Sequence, residues 1–176
     1  MIPVLETERL ILRECCLADF PAHAAIWAHP RTTRDFGDYG YDEELCWLRF
    51  QRIIGQWRMF GYGLWAVEEK HSGSYIGGLG FFQGKRAIDI PYRDLPEAGW
   101  VIAPDRHGQG LAREGLAAAF TWADTYIAAP ETWCMIGPGN EISKKVAARF
   151  GYRPAQESQY KGKPVLTYLR PRGAVT

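Results

Sequence analysis

The chain has 176 residues, of which 47% are hydrophobic and 14% aromatic, and this composition excludes an intrinsically disordered protein. Its 21 basic and 20 acidic residues give a formal net charge of +1, so we expect no nucleic-acid partner and no membrane-binding face. No apolar run approaches the length of about 20 residues that crosses a bilayer. We therefore expect a soluble, cytoplasmic protein.

The chain is predicted to form a single domain over residues 1–176, because no linker or charge run divides it. The N-terminus lacks a basic segment followed by an apolar core, so no secretory signal is expected. A monomer or homodimer is expected. The cysteines lack C-x-x-C spacing, which favours reduced thiols and no metal site for Cys15, Cys16, Cys46 and Cys134.

In chain order, the first half predicts a strand, two helices and a β-hairpin. The segments are a strand over residues 6–14, a helix from an N-cap at Asp19 to about residue 28, a helix over 42–59, and strands over 64–68 and 75–82. Residues 84–96 carry Pro91 and Pro96, and we predict a loop there.

The second half begins with an apolar strand at Glu97, which ends at Pro104 and enters a glycine-rich turn. The turn opens an amphipathic helix whose apolar residues recur at helical spacing. A buried strand over residues 133–136, a short helix that stops at Gly151 and a terminal hairpin over 152–170 follow.

The glycine-rich turn predicts a phosphate site. Gly108 and Gly110 allow close approach to the backbone, and the first N–H groups of a helix have no partner inside it. A Walker loop is excluded because no Gly-Lys is followed by Ser or Thr, and a dinucleotide fingerprint is excluded because Arg113 stands where its third glycine belongs. The alternative is that the two glycines only shape a tight turn.

Several further motifs occur in order along the chain. They are Glu97-x-Gly99-Trp100, Gly108-Gln109-Gly110-Leu111-Ala112, Asn140-x-x-Ser143, Phe150-Gly151-Tyr152 and the opening segment from Glu6 to Arg13. Over about residues 5–170 this set resembles the GNAT superfamily of N-acetyltransferases, most closely its ribosomal-protein N-terminal acetyltransferase (RimJ/RimL-like) branch.

The resemblance implies an α+β fold, in which a central, mostly antiparallel sheet with a splayed strand pair is flanked by about four helices. It also implies acetyl-CoA as cosubstrate, without a metal. The chain departs from the family's loop at His107, where Arg or Gln is usual. The implied coenzyme A loop comprises His107, Gly108, Gln109, Gly110, Leu111, Ala112 and Arg113.

Acetyl transfer to an amine needs a proton acceptor near neutral pH, because a lysine-like amine has a pKa of about 10.4. The resemblance places Glu97 in this role. The alternatives are a carboxylate that only pairs with a neighbouring Arg or Lys, Glu157 as the base, or no single base.

The resemblance implies that the backbone N–H of Val101 or Ile102 polarises the thioester carbonyl. It further implies that Asn140 hydrogen-bonds the pantetheine arm and that the Ser143 hydroxyl assists the departing thiolate. An N-cap at Asn140 is the structural alternative. Tyr152 is a weaker candidate acid, and core packing is favoured for it.

For the acceptor we predict a primary amine, at a protein N-terminus or in a small molecule. The resemblance puts the N-terminal helices over its pocket, with Trp27 as a wall and Glu97 within reach. Asp35 and Asp38 lie among aromatic residues, which suits a cationic amine, although Asp42 also fits a helix cap. The sequence thus predicts an N-acetyltransferase acting in a ternary complex, with a non-catalytic acyl-CoA-binding domain as the alternative.

Overall fold

The computed structural model describes residues 2–36 and 41–174, except for the side chains of Asp35 and Phe36. Within these residues the helices are α1 (Phe20–Ala28), α2 (Pro30–Phe36), α3 (Glu43–Phe60), α4 (Leu111–Tyr126) and α5 (Glu141–Arg149). The strands are β1 (Leu5–Glu6), β2 (Leu10–Arg13), β3 (Leu64–Glu69), β4 (Ser74–Phe82), β5 (Glu97–Ile102), β6 (Glu131–Ile136), β7 (Arg153–Tyr160) and β8 (Lys163–Pro171).

The strands form one eight-stranded sheet in the order β1-β2-β3-β4-β5-β6-β8-β7. Every neighbouring pair is antiparallel except β5 and β6, which are parallel. The predicted α+β fold with a mostly antiparallel sheet is confirmed. The prediction missed α2, because its seven residues are too few to show an apolar helical period.

The predicted first strand is divided in the structure into β1 and β2. The backbone N–H of Thr7 donates to the carbonyl of Leu10, and this closes a turn between the two short strands. The terminal hairpin agrees with its prediction, since β7 and β8 pair antiparallel around Lys161 and Gly162.

Helices cover both faces of the sheet. Helices α4 and α5 bury the main core, in which Trp65, Leu79 and Leu116 are fully buried. Gly115 of α4 allows close packing there, because a Cβ at this residue would lie 2.7 Å from a Leu79 methyl carbon. Helices α1 and α3 cover the opposite face, around Phe50 and Ala66.

Two aspartates near helix starts behave differently. Asp42 caps α3, and its Oδ1 accepts a hydrogen bond from the backbone N–H of Leu45 at 2.8 Å, so the capping interpretation is confirmed. Asp19 holds the N-cap position of α1 without a side-chain cap bond. Its carboxylate instead accepts hydrogen bonds from both terminal NH2 groups of the Arg13 guanidinium, each at 2.8 Å.

Strands β5 and β6 meet at one end only. Glu97 pairs with Trp133, and the Trp133 backbone N–H donates to the Pro96 carbonyl at 3.0 Å. No further ladder pair joins the two strands within the described residues, so they diverge toward their carboxyl ends. The predicted splayed pair is thereby confirmed. In the part of the chain that the structure describes, no helix is both long and apolar enough to cross a membrane.

Candidate active site

The divergence of β5 and β6 opens a gap that contains a small cavity of about 50 Å³. Its walls include Gly99, Trp100, Cys134, Asn140 and Ser143. The glycine-rich turn follows the carboxyl end of β5 and lies at the open end of the gap, whereas Glu97 lies at the closed end. Glu97 itself is not part of the wall of this cavity.

The turn has the backbone shape that an anion site needs. Gly108 and Gly110 have φ angles of 79° and 77°, a left-handed conformation that L side chains rarely adopt, and Gly110 is the N-cap of α4. Leu111 is buried in the core, so only its backbone can serve a ligand. His107 braces the turn, because its Nε2 lies 2.8 Å from the Ile102 carbonyl oxygen.

Glu114, in the first turn of α4, holds the glycine-rich turn to the turn between β1 and β2. Its Oε1 accepts hydrogen bonds from the Thr7 hydroxyl at 2.6 Å and the Arg9 backbone N–H at 2.8 Å. Arg9 also donates to the Gln109 carbonyl at 3.0 Å. Burial opposes the charge on Glu114, but these hydrogen bonds outweigh it and lower the pKa of the carboxyl. The sequence alone does not show this role, because Thr7 and Arg9 lie far from Glu114 along the chain.

The backbone of β5 presents alternate N–H groups to the gap. The Ala103 N–H donates to the carbonyl of Ile76, near the start of β4. Because successive N–H groups of a strand point to opposite sides, the Val101 N–H also points toward β4. The N–H groups of Trp100 and Ile102 then face β6 and the gap. The structure therefore favours Ile102 over Val101 as a donor into the gap and adds Trp100. The sequence cannot show this, because it does not tell which N–H groups of a strand point to which neighbouring strand.

Glu97 is a buried carboxylate, and its residue is 3% exposed. Arg86 donates through Nε to Glu97 Oε2 at 2.5 Å. Burial raises the pKa of Glu97 above its ordinary value, although Arg86 works against this shift. The carboxylate thus combines the ion pair of the alternative interpretation with the raised pKa expected of a general base.

Asn140 and Ser143 both line the gap, at the start of α5. The Asn140 side-chain oxygen accepts from the Ser143 backbone N–H at 2.9 Å, so the N-cap interpretation is confirmed. This bond uses one lone pair of Asn140 Oδ1, so the second lone pair and the amide NH2 group remain for a ligand. Cys134, also in the gap wall, is buried, and burial raises the pKa of its thiol well above the ordinary value.

A second cavity, of about 170 Å³, lies on the other face of β5 beneath α1 and α3, and we call it the α3 cavity. Trp27 and Val101 line it, and the role of Trp27 in acceptor binding stays a prediction. The basic side chains in its wall are Arg49, Arg52, Arg86 and Lys161. Asp38 lies outside the described residues, and Asp35 is described only as backbone within α2, so the predicted acidic wall stays a prediction.

Two alternative catalytic residues lie away from the gap. Glu157 is exposed on the outermost strand β7. Tyr152 is 3% exposed, and its hydroxyl lies 2.7 Å from the Thr132 hydroxyl, so it packs in the core. Within residues 2–36 and 41–174, no group of three or more His, Cys, Asp or Glu residues is arranged to hold a metal ion.

Comparison with known proteins gives a consistent family. The model of the acetyltransferase (GNAT) domain matches residues 9–153. An acetyltransferase from Agrobacterium tumefaciens strain C58 superimposes with a TM-score of 0.81 at 30% identity, covering 96% of this chain and 94% of that one. RimL, a ribosomal L7/L12 α-N-protein acetyltransferase solved with coenzyme A, gives a TM-score of 0.74 at 20% identity and covers 99% of each chain.

The protein YkkB of Bacillus subtilis (strain 168) is 26% identical over 111 residues. The match covers 63% of this chain and 62% of YkkB, slightly less than two thirds of that relative.

Proposed function

The chain belongs to the acetyltransferase (GNAT) family, and we propose that it transfers an acetyl group from acetyl-CoA to a primary amine. The proposal places it in the RimJ/RimL-like branch, with a protein N-terminus or a small amine as acceptor. The fold shared with RimL supports this placement, as does the opening segment from Glu6 to Arg13.

The single observation that carries the proposal is that β5 and β6 pair at one end only. It leaves a gap with the glycine-rich turn at its open end, and Glu97 lies at its closed end. A nucleotide-binding protein needs only the turn. A gap between two strands that starts beside a glycine-rich turn suits a long thioester carrier whose phosphates bind at the turn.

The turn residues from His107 to Arg113 would hold the pyrophosphate of acetyl-CoA, mainly through backbone N–H groups at the start of α4. Bound acetyl-CoA supplies the thioester that the amine attacks. The Trp100 and Ile102 N–H groups would donate to the thioester carbonyl, and the Asn140 amide would hold the pantetheine arm.

In the reaction the amine nitrogen bonds to the thioester carbon, the C–S bond breaks and the sulfur leaves as a thiolate. Glu97 takes the proton that the amine loses. The Ser143 hydroxyl, in the gap wall, donates toward the departing sulfur. A thiol has a pKa of about 8.5, so this assistance is less important than proton removal from the amine.

Release of the coenzyme A thiol tests the proposal, with calorimetry of acetyl-CoA binding measured on the same preparation. We expect binding together with amine-dependent thiol release. Binding without turnover of any primary amine would favour a non-catalytic acyl-CoA-binding domain. If ATP or NAD displaces acetyl-CoA, the turn serves a nucleotide instead.

A further inference from the structure

The α3 cavity is strongly cationic in a chain that is nearly neutral overall. Arg49 and Arg52 of α3 and Arg86 of the loop before β5 all line it. None of the acidic side chains that the structure describes lines the cavity. Glu97, which does not line the cavity, forms an ion pair with Arg86. Three guanidinium groups therefore share one carboxylate, and the cluster keeps an excess of positive charge.

Arg49 is the member of this cluster whose charge is least compensated. Its guanidinium carbon lies 4.1 Å from the centre of the Trp27 ring and 5.0 Å from that of Tyr41. In the described part of the chain it makes no ion pair with a carboxylate. Burial lowers the pKa of Arg49; Tyr41 opposes this effect, whereas Arg52 and Arg86 add to it. Fixed, partly desolvated cations are costly without an anion nearby.

A second, independent observation indicates a polar ligand in the same cavity. His23 of α1 lines it and is 3% exposed. Its Nδ1 lies 3.1 Å from the Tyr75 hydroxyl, but its Nε2 is buried without a hydrogen-bond partner among the described residues. Buried polar atoms normally have a partner, so an orphan atom in a cavity wall is explained by a ligand that supplies one.

The position of the cavity ties this ligand to the reaction. Neighbouring residues of β5 serve the two cavities: Gly99 and Trp100 line the gap, and Val101 lines the α3 cavity. An acceptor in the α3 cavity therefore lies across one strand from the thioester site. Nearby cations also disfavour the protonated form of an amine, so the cluster helps to supply the neutral amine that attacks.

We infer that the acceptor is a primary amine that carries a carboxylate close to the reacting nitrogen, and that Arg49 and Arg52 bind this carboxylate in the α3 cavity. The inference rests on the proposed function and names its substrate class. An amino acid and a peptide with an acidic residue beside its N-terminus share this chemistry. The predicted preference is opposite to the cationic amine that Asp35 and Asp38 suggested.

The experiment compares acceptors with and without the carboxylate, and kcat/KM is expressed per neutral amine because an amide lowers the pKa of the neighbouring amino group relative to a carboxylate. One arm uses L-alanine and L-alaninamide, and the other uses the amidated tripeptides Ser-Asp-Gly and Ser-Asn-Gly, with spermidine as a cationic amine. We expect kcat/KM for the acidic member of at least one pair to exceed that of its partner about tenfold or more at low salt. The arm that shows the preference identifies the source of the carboxylate.

The same measurements are made on Arg49→Gln and Arg52→Gln, with Arg58→Gln as matched control, since Arg58 is an exposed residue of α3 that does not line the cavity. We expect either cavity variant to abolish most of the preference and Arg58→Gln to keep it. Acetyl-CoA affinity, measured by calorimetry, should be unchanged in all three.

The outcomes separate this inference from the proposed function. Equal or better turnover of the amides or of spermidine would overturn the inference and leave the acetyltransferase intact. Weaker acetyl-CoA binding in Arg49→Gln would assign the cluster to a phosphate of coenzyme A and also overturn it. If no acceptor is turned over, calorimetry measures binding of L-alanine and of the Ser-Asp-Gly peptide. Binding that is lost in Arg49→Gln supports the carboxylate site, and the absence of binding overturns it.

Discussion

Arg86 and Glu97 form an ion pair in which the Arg86 Nε donates to Glu97 Oε2 at 2.5 Å, with the two side chains 18% and 4% exposed. Burial opposes the charge on Arg86, but Glu97 more than offsets this and raises the pKa of the guanidinium. The pair joins the proposed base at the closed end of the gap to the cationic wall of the α3 cavity. Any change to one partner is therefore expected to affect both proton transfer and acceptor binding.

Replacing Glu97 with Gln keeps its size and removes its ability to accept a proton. If Glu97 is the general base, the acetylation rate near neutral pH should fall by about 10²-fold or more. The limb of the kcat/KM profile that reports Glu97 should also disappear. Because burial raises the pKa of Glu97, this limb should lie above the ordinary carboxyl range in the unmodified protein. Steady-state rates between pH 4 and 9 measure both effects.

The control for Glu97→Gln is its acetyl-CoA affinity, which should change little because the turn lies at the other end of β5. Circular dichroism must show that the variant is folded, since the change also weakens a buried ion pair. A folded variant with a rate within about twofold of the unmodified protein would assign proton removal to another group.

The conformation of the phosphate turn can be tested at Gly110. Gly110→Val forces a β-branched residue into φ 77° and places its side chain where the pyrophosphate is proposed to bind, so calorimetry should show weaker coenzyme A binding. Gly73→Val is the matched control: its φ is 66°, it lies in the β3–β4 turn, and nothing lies within 4 Å of an added Cβ. Equal affinity in folded Gly110→Val would mean that the pyrophosphate binds elsewhere.

Asn140 and Ser143 should separate a structural effect from a functional one. Asn140→Ala removes the α5 cap and should lower the free energy of unfolding by about 1 kcal/mol. Ser143→Ala keeps the backbone N–H that Asn140 binds, so it should leave stability nearly unchanged while lowering kcat. Urea unfolding and steady-state kinetics measure the two quantities. An unchanged kcat in Ser143→Ala would exclude its hydroxyl from thiolate departure.

Local patterns predicted the elements of the fold well because each pattern reports on its own segment. The Asp42 cap, the glycine-rich turn and the strand that starts at Glu97 all depend on neighbours in sequence. The interactions that sequence reasoning missed are long-range. Arg9 and Glu114 are 105 residues apart, and nothing in either segment shows that they pair.

The charge of the α3 cavity illustrates the same limit. Arg49 and Arg52 are three residues apart on α3, which suggests a solvated helix face, and Arg86 lies in a loop far along the chain. Only the folding of the chain brings the three guanidinium groups around one cavity. The acidic segment around Asp35 is conspicuous in the sequence, whereas the basic cavity is assembled by the fold.

His23 should make the stability of the protein depend on pH. Burial lowers its pKa to about 4, with Arg49 contributing, from an ordinary value of 6.5, so the unfolded chain binds a proton first as the pH falls. The stabilisation from a neutral His23 is complete above pH 6.5 and is lost between pH 6.5 and 4. Between pH 7 and 5 the free energy of unfolding should fall by about 2 kcal/mol more in the unmodified protein than in His23→Gln.

Urea unfolding at the two pH values measures the difference, and His71→Gln, in the exposed β3–β4 turn, should behave as the unmodified protein does. Parallel losses in the unmodified protein and His23→Gln would mean that the imidazole is not buried in its neutral form.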